Sequence, residues 1–70
     1  MEVKIGKLYR CHAIGVDGEI TGEVMSIYDR VLVVKVEKCS SADERVIVDK
    51  LNLVVVKKND VLSEIKTKAG

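Results

Sequence analysis

Valine and isoleucine recur along the chain in short runs: Leu8 to Val16, Ile20 to Tyr28, Val31 to Val36, Arg45 to Val48 and Leu51 to Val56. Both residues are branched at Cβ, which stiffens χ1 and favours pleated surfaces over helices. Turn-forming stretches separate the runs, namely Val16-Asp17-Gly18-Glu19, Tyr28-Asp29-Arg30 and Cys39-Ser40-Ser41-Ala42-Asp43-Glu44. Short strands at this spacing predict an all-β sandwich or barrel of five strands, and no long amphipathic helix alternates with them as a βαβ protein requires. Asp17-Gly18 is the strongest hairpin signal, because glycine accepts the positive φ of a tight reversal. Gly22, inside the second run, marks a bulge or a close backbone approach that would help a small sheet bend. Asp49-Lys50-Leu51-Asn52 breaks the alternation and is expected to form one helical turn between the last two strands. Beyond it, Asn59 or Asp60 as N-cap, with Val61, Leu62 and Ile65 at helical spacing, predicts a short C-terminal helix ending in a frayed Thr67 to Gly70. The expected organisation is a barrel over residues 1–58 and a helix with its tail over 59–70.

The third and fifth runs carry a second message. Val31-Leu32-Val33-Val34-Lys35-Val36 and Leu51-Asn52-Leu53-Val54-Val55-Val56 are apolar at successive positions, whereas successive strand residues point to opposite faces. One small barrel has one interior, so part of the set Val31, Val33, Leu53 and Val55 must lie outside it. Two outcomes are open: the C-terminal segment folds back over this face, or a second copy or another protein covers it. With Val61, Leu62 and Ile65, these residues make up the expected protein-interaction surface.

Length sets the scale. A chain of 70 residues and 47% apolar composition buries about 60% of its surface, enough for one core and one domain. Its longest apolar stretches, Val31 to Val34 and Leu53 to Val56, fall far short of the ~20 residues of a membrane span. Neither do residues 1–5 offer an apolar segment of signal-peptide length. With only Cys11 and Cys39, no disulfide framework is expected. These features predict a soluble, cytoplasmic protein with free thiols.

The order Ile5-Gly6-Lys7, Asp17-Gly18, Gly22-Glu23-Val24-Met25-Ser26-Ile27, then Val31 and Val33, resembles the KOW-type segment of small SH3-like barrels. The stretch Glu44-Arg45-Val46-Ile47-Val48-Asp49-Lys50-Leu51-Asn52-Leu53-Val54-Val55 resembles the end of the YkvS-like family of small bacterial proteins. Together the matches cover residues 5–56. They imply a small five-stranded SH3-like barrel, and the KOW resemblance further implies nucleic-acid or ribonucleoprotein contacts.

Candidate chemistry is sparse. Cys11 and His12 are adjacent, and strand neighbours point to opposite faces, so they do not form a thiolate–imidazolium pair. Cys11, His12 and Cys39 lack the spacing that fixes two metal ligands from one turn. The serines have no nucleophile-elbow context, and Gly15-Val16-Asp17-Gly18 lacks the lysine and following helix of a P-loop. No catalytic residue, metal, cofactor, small-molecule substrate or membrane partner is expected. Charge is nearly balanced at +1. Segments 1–16 and 57–70 each carry +2, segment 17–30 carries −3, and segment 31–56 is neutral. A KOW-like RNA- or DNA-binding surface would draw on Arg10, His12, Arg30, Lys35, Lys38, Arg45 and Lys50, with Tyr9 or Tyr28 for base stacking. Near-neutrality and the two-sided apolar strands favour instead a non-enzymatic binding module, self-associating or acting as a regulator or inhibitor of a larger complex.

Overall fold

A computed structural model describes residues 3–65. The chain forms β1 (Leu8–Ala13), β2 (Ile20–Ile27), β3 (Val31–Lys38), a short helix α1 (Glu44–Asp49) and β4 (Leu53–Ile65). The strands close into a barrel in the order β1-β2-β3-β4, every neighbouring pair antiparallel. All-β architecture is therefore present, with four strands where five were expected.

The missing strand is the Arg45 to Val48 segment, which lies in α1. Its β-branched residues favour a strand, but both edges of β3 along this stretch are already taken, by β2 and by the start of β4. A helical turn needs only one anchor, and Ile47 supplies it, 2% exposed in the core. Lys50 then ends the helix, and Leu51 and Asn52 both take positive φ, near 60°, to aim the chain into β4. The expected helical turn at Asp49 to Asn52 is thus only the exit from a helix that begins earlier.

β4 does the work of two strands. Its first half pairs with β3, from Lys35↔Leu53 to Val31↔Lys57. Its second half pairs with β1, from Cys11↔Val61 to Leu8↔Ile65. Extra residues between Val56 and Val61, shown by the register shift between Cys11 and Ala13, bend the strand at the polar run Lys57 to Asp60. The predicted C-terminal helix is consequently absent from residues 59–65, and the boundary at 58/59 falls inside a continuous strand. Val61, Ser63 and Ile65 are half-buried while Leu62 and Glu64 are exposed, the period of a strand. Ladder bonds to β1 stabilise this segment more than an isolated helix of its length, which is marginal in water. The remainder of the predicted helix and its frayed end, residues 66–70, lie outside the described residues.

The interior is filled by the alternate residues of each strand. Tyr9, Cys11 and Ala13 meet Ile20, Val24, Leu32, Val34, Val36, Val54 and Val56, with Val16 and Ile47 completing the core. Tyr9 keeps its ring inside and accepts the Lys4 backbone N–H on its hydroxyl at 2.8 Å. At Gly22 β2 and β3 approach closely, since a Cβ there would overlap the Val34 side chain and the Lys35 carbonyl. A register shift between Thr21 and Gly22 accompanies the approach. The β1–β2 connection differs from the tight hairpin expected at Asp17-Gly18. β1 stops at Ala13, positive φ falls on Gly15, and a six-residue loop lets Val16 turn inward. Gly18 has a different use, packing closely against Asp43.

Candidate functional site

The outer faces of β3 and β4 carry Val33 and Val55 directly opposite each other. The ladder continues on both sides. Ser26 pairs with Val33, with Met25 as the extra, bulged residue beside it, and the Ile14 backbone N–H donates to the Val55 carbonyl at 2.9 Å. An apolar row thus runs through Met25, Val33 and Val55 on β2, β3 and β4 to Ile14 in the turn after β1. Leu53 and Val31 extend it along β4 and β3. Met25, Ile14, Leu53 and Val55 are each between 40% and 50% exposed, while Val31 and Val33 are half-buried. Their uncovered apolar area is on the order of 400 Å², the size of the largest apolar patch on an ordinary monomer.

Four of the seven sequence-predicted interaction residues, Val31, Val33, Leu53 and Val55, come together here. The other three do not join them. Val61 packs against the core beside Cys11, Leu62 is a bulged, exposed residue, and Ile65 pairs with Leu8. This half of β4 lies along β1 and does not fold back across the Val33–Val55 face. Ile14 and Met25 were missed, although Met25 follows inward Val24 on β2 and Ile14 follows inward Ala13 at the end of β1, so both fall on the outward side.

The β2–β3 turn end of the face is basic. There the β2–β3 turn meets the bend of β4. The Lys58 backbone N–H donates to the Arg30 carbonyl at 3.1 Å, Lys57 lies opposite Val31, and a groove is lined by Arg30, Lys57 and Lys58 against the single acid Asp29. Toward β1, Glu23, opposite Lys35 in the ladder, borders a separate groove that also gathers Glu37 and Glu64 against Lys7.

The predicted basic set is dispersed by the fold. Arg10 pairs with Glu19 at 3.4 Å on the exposed side of β1, and His12 is exposed on the same strand. Lys35 sits between Glu23 and Leu53, Lys38 ends β3, and Arg45 and Lys50 belong to α1 and its exit. Only Arg30 joins a cationic cluster, with Lys57 and Lys58, which were not singled out. Tyr9 is 1% exposed and offers no stacking surface, whereas Tyr28 is 57% exposed.

Cys11 and Cys39 are both free. Burial pushes the Cys11 thiol up to about 11, and His12 projects to the other face, so the adjacent pair forms no dyad. Among the described residues, no three His, Cys, Asp or Glu side chains are grouped to hold a metal ion, and no helix is long and apolar enough to cross a membrane. No family model, curated protein or solved structure matches the chain.

Proposed function

We propose that this protein is a non-enzymatic binding module acting through protein–protein contacts, and that its primary partner is a second copy of itself. The observation that carries this is the outward-facing Val33–Val55 pair at the centre of a six-residue apolar patch. Two such patches and their polar rims together approach 1,200 Å², about the lower limit of a specific interface. An area of this size fits a reversible association rather than an obligate dimer, whose interfaces are larger. The barrel with its doubled-back β4 supports placing the fold among SH3-like barrels, and the two free thiols suit a reducing, cytoplasmic setting. Modest affinity also suits a regulator or inhibitor that exchanges its own partner for a larger complex. Light scattering on the full chain tests the assignment. Wild type gives a dimer mass at high micromolar concentration, and Val55→Lys gives a folded monomer; a wild-type monomer throughout overturns it.

A KOW-like nucleic-acid module is the second reading, favoured by one observation. Exposed Tyr28 stands two residues from Arg30 in the chain, beside the groove that also gathers Lys57 and Lys58, and so combines a stacking surface with three cations. Binding of mixed oligonucleotides that weakens steeply with salt and is lost in Lys57→Glu supports it. Absence of any complex at low salt rejects it.

A further inference from the structure

The β2–β3 turn and the bend of β4 are pinned together by the Lys58 backbone N–H on the Arg30 carbonyl, 3.1 Å away. That bond gathers Arg30, Lys57 and Lys58 along one groove, with Asp29 as its single carboxylate. Among the described residues the ion pair found is Arg10 with Glu19, so no carboxylate is held against any of the three cations. Like charges brought together in this way repel one another, and one acid does not balance three bases.

The groove runs into the apolar face. Val31 lines the groove and lies opposite Lys57, and the next outward pair of the same ladder is Val33 with Val55. Beyond it Leu53 lies opposite Lys35, whose neighbour on β2 is Glu23. Along β4 the outward order is therefore Lys57, Val55, Leu53, a cation followed by two aliphatic residues. From Lys57 to Leu53 the face matches about five residues of an extended segment, ~13 Å.

This pattern suits a protein segment better than a nucleic acid. Bases stack on aromatic rings, and Val33, Val55 and Leu53 have none; exposed Tyr28 belongs to the turn, not to the face. A phosphate backbone also needs a track of several cations. Here the track stops at Lys57, and Lys35 beyond it has Glu23 at its side. A second copy brings the same basic end with the same face, so the complement of that end lies in another molecule.

Resting on this face as a protein-binding surface, and going beyond self-association, we propose that it takes a short segment of another protein in which two or more carboxylates adjoin leucine or β-branched side chains. The carboxylates lie over Arg30, Lys57 and Lys58, and the aliphatic side chains over Val33, Val55 and Leu53. Charge-assisted contacts at one end fix which way the segment runs, while the aliphatic contacts exclude water. A segment acidic throughout leaves the aliphatic half uncovered, and one aliphatic throughout leaves the cations unmatched.

Selection of a random peptide library on the immobilised full chain tests this. Wild type enriches peptides with Asp or Glu next to Val, Leu or Ile, and the best of them binds ~10-fold more weakly to Lys57→Glu with Lys58→Glu. That reversed chain, selected afresh, enriches Lys and Arg instead. Leu53→Ser with Val55→Ser keeps the acidic preference and loses the aliphatic one. Absence of acidic enrichment on wild type overturns the proposal, as does aliphatic enrichment that survives the double serine change. Mixed oligonucleotides that bind wild type, where no acidic peptide is selected, overturn it in favour of a nucleic-acid surface. The light-scattering test of self-association is separate. A dimeric wild type that selects no acidic peptide leaves self-association standing, and a monomeric one that selects acidic–aliphatic peptides leaves this proposal standing.

Discussion

The Asp43 carboxylate accepts the Gly18 backbone N–H through Oδ2 at 2.9 Å, so the residue that begins α1 also holds the β1–β2 loop. Asp43 sits at the N-cap position but makes no side-chain cap bond, and its carboxylate makes this longer-range contact instead. It is the one buried charged side chain among the described residues, 6% exposed. Loop and helix are thereby closed over the same end of the barrel, where Val16 and Ile47 enter the core.

Removing that contact destabilises the fold. Asp43→Ala leaves the Gly18 N–H without its partner and is expected to cost about 1–3 kcal/mol. Asp43→Asn, which retains an acceptor oxygen, costs less. Gly18→Ala brings a methyl to 2.9 Å from the same oxygen and also destabilises. Urea denaturation of the three variants checks the order.

Gly22→Ala is expected to be more damaging than Gly18→Ala. At Gly22 the obstacles include the Lys35 backbone, which cannot swing aside as a side chain can. A loss of about 2–3 kcal/mol, typical of overpacking in a close-packed interior, is predicted from chemical denaturation.

Cys11 makes stability depend on pH in the alkaline range. Its thiol is raised from 9.0 to about 11 by burial, so between those values the unfolded chain has lost a proton that the folded chain keeps. Fewer protons on the unfolded state means stability falls as pH rises, by up to about 1.4 kcal/mol per pH unit. Below pH 9 the contribution is fully present, and by pH 11 most of the fall is complete. Cys11→Ala is expected to flatten the Cys11 part of this slope, whatever its effect on stability at neutral pH. A thiol reagent at pH 8 should label half-buried Cys39 and leave Cys11 unmodified in the folded protein.

Leu51 adopts positive φ while its side chain is 81% exposed, so the backbone bears the cost of the left-handed conformation with little burial in return. Leu51→Gly is expected to raise stability by up to about 1 kcal/mol. Leu51→Val, branched at Cβ, lowers it. Thermal melts of the pair separate backbone strain from side-chain loss.

The strands β1 to β3 were legible because alternation in runs such as Ile20, Gly22 and Val24 has no competing explanation. Val46-Ile47-Val48 misled for a physical reason: β-branched composition reports a local preference, while the helix exists because a single residue, Ile47, reaches the core. At the C-terminus, Val61, Leu62 and Ile65 satisfy helical spacing, and Val61, Ser63 and Ile65 satisfy strand alternation. Choosing between them required knowing that β1 had an unpaired edge. The surplus of apolar residues on β3 and β4 was visible in the sequence, and Val33 and Val55 are indeed outside. The grouping of Glu23, Glu37 and Glu64 along one groove was not, because they lie on three different strands and are gathered only by barrel closure.

Self-association through the Val33–Val55 face is tested most directly by a dilution series of backbone amide NMR spectra on the full chain, from high to low micromolar. Concentration-dependent shifts are predicted at Ile14, Met25, Val31, Val33, Leu53 and Val55, with the opposite surface around Leu62 unchanged. Spectra that do not change with concentration, or changes confined to another surface, contradict it.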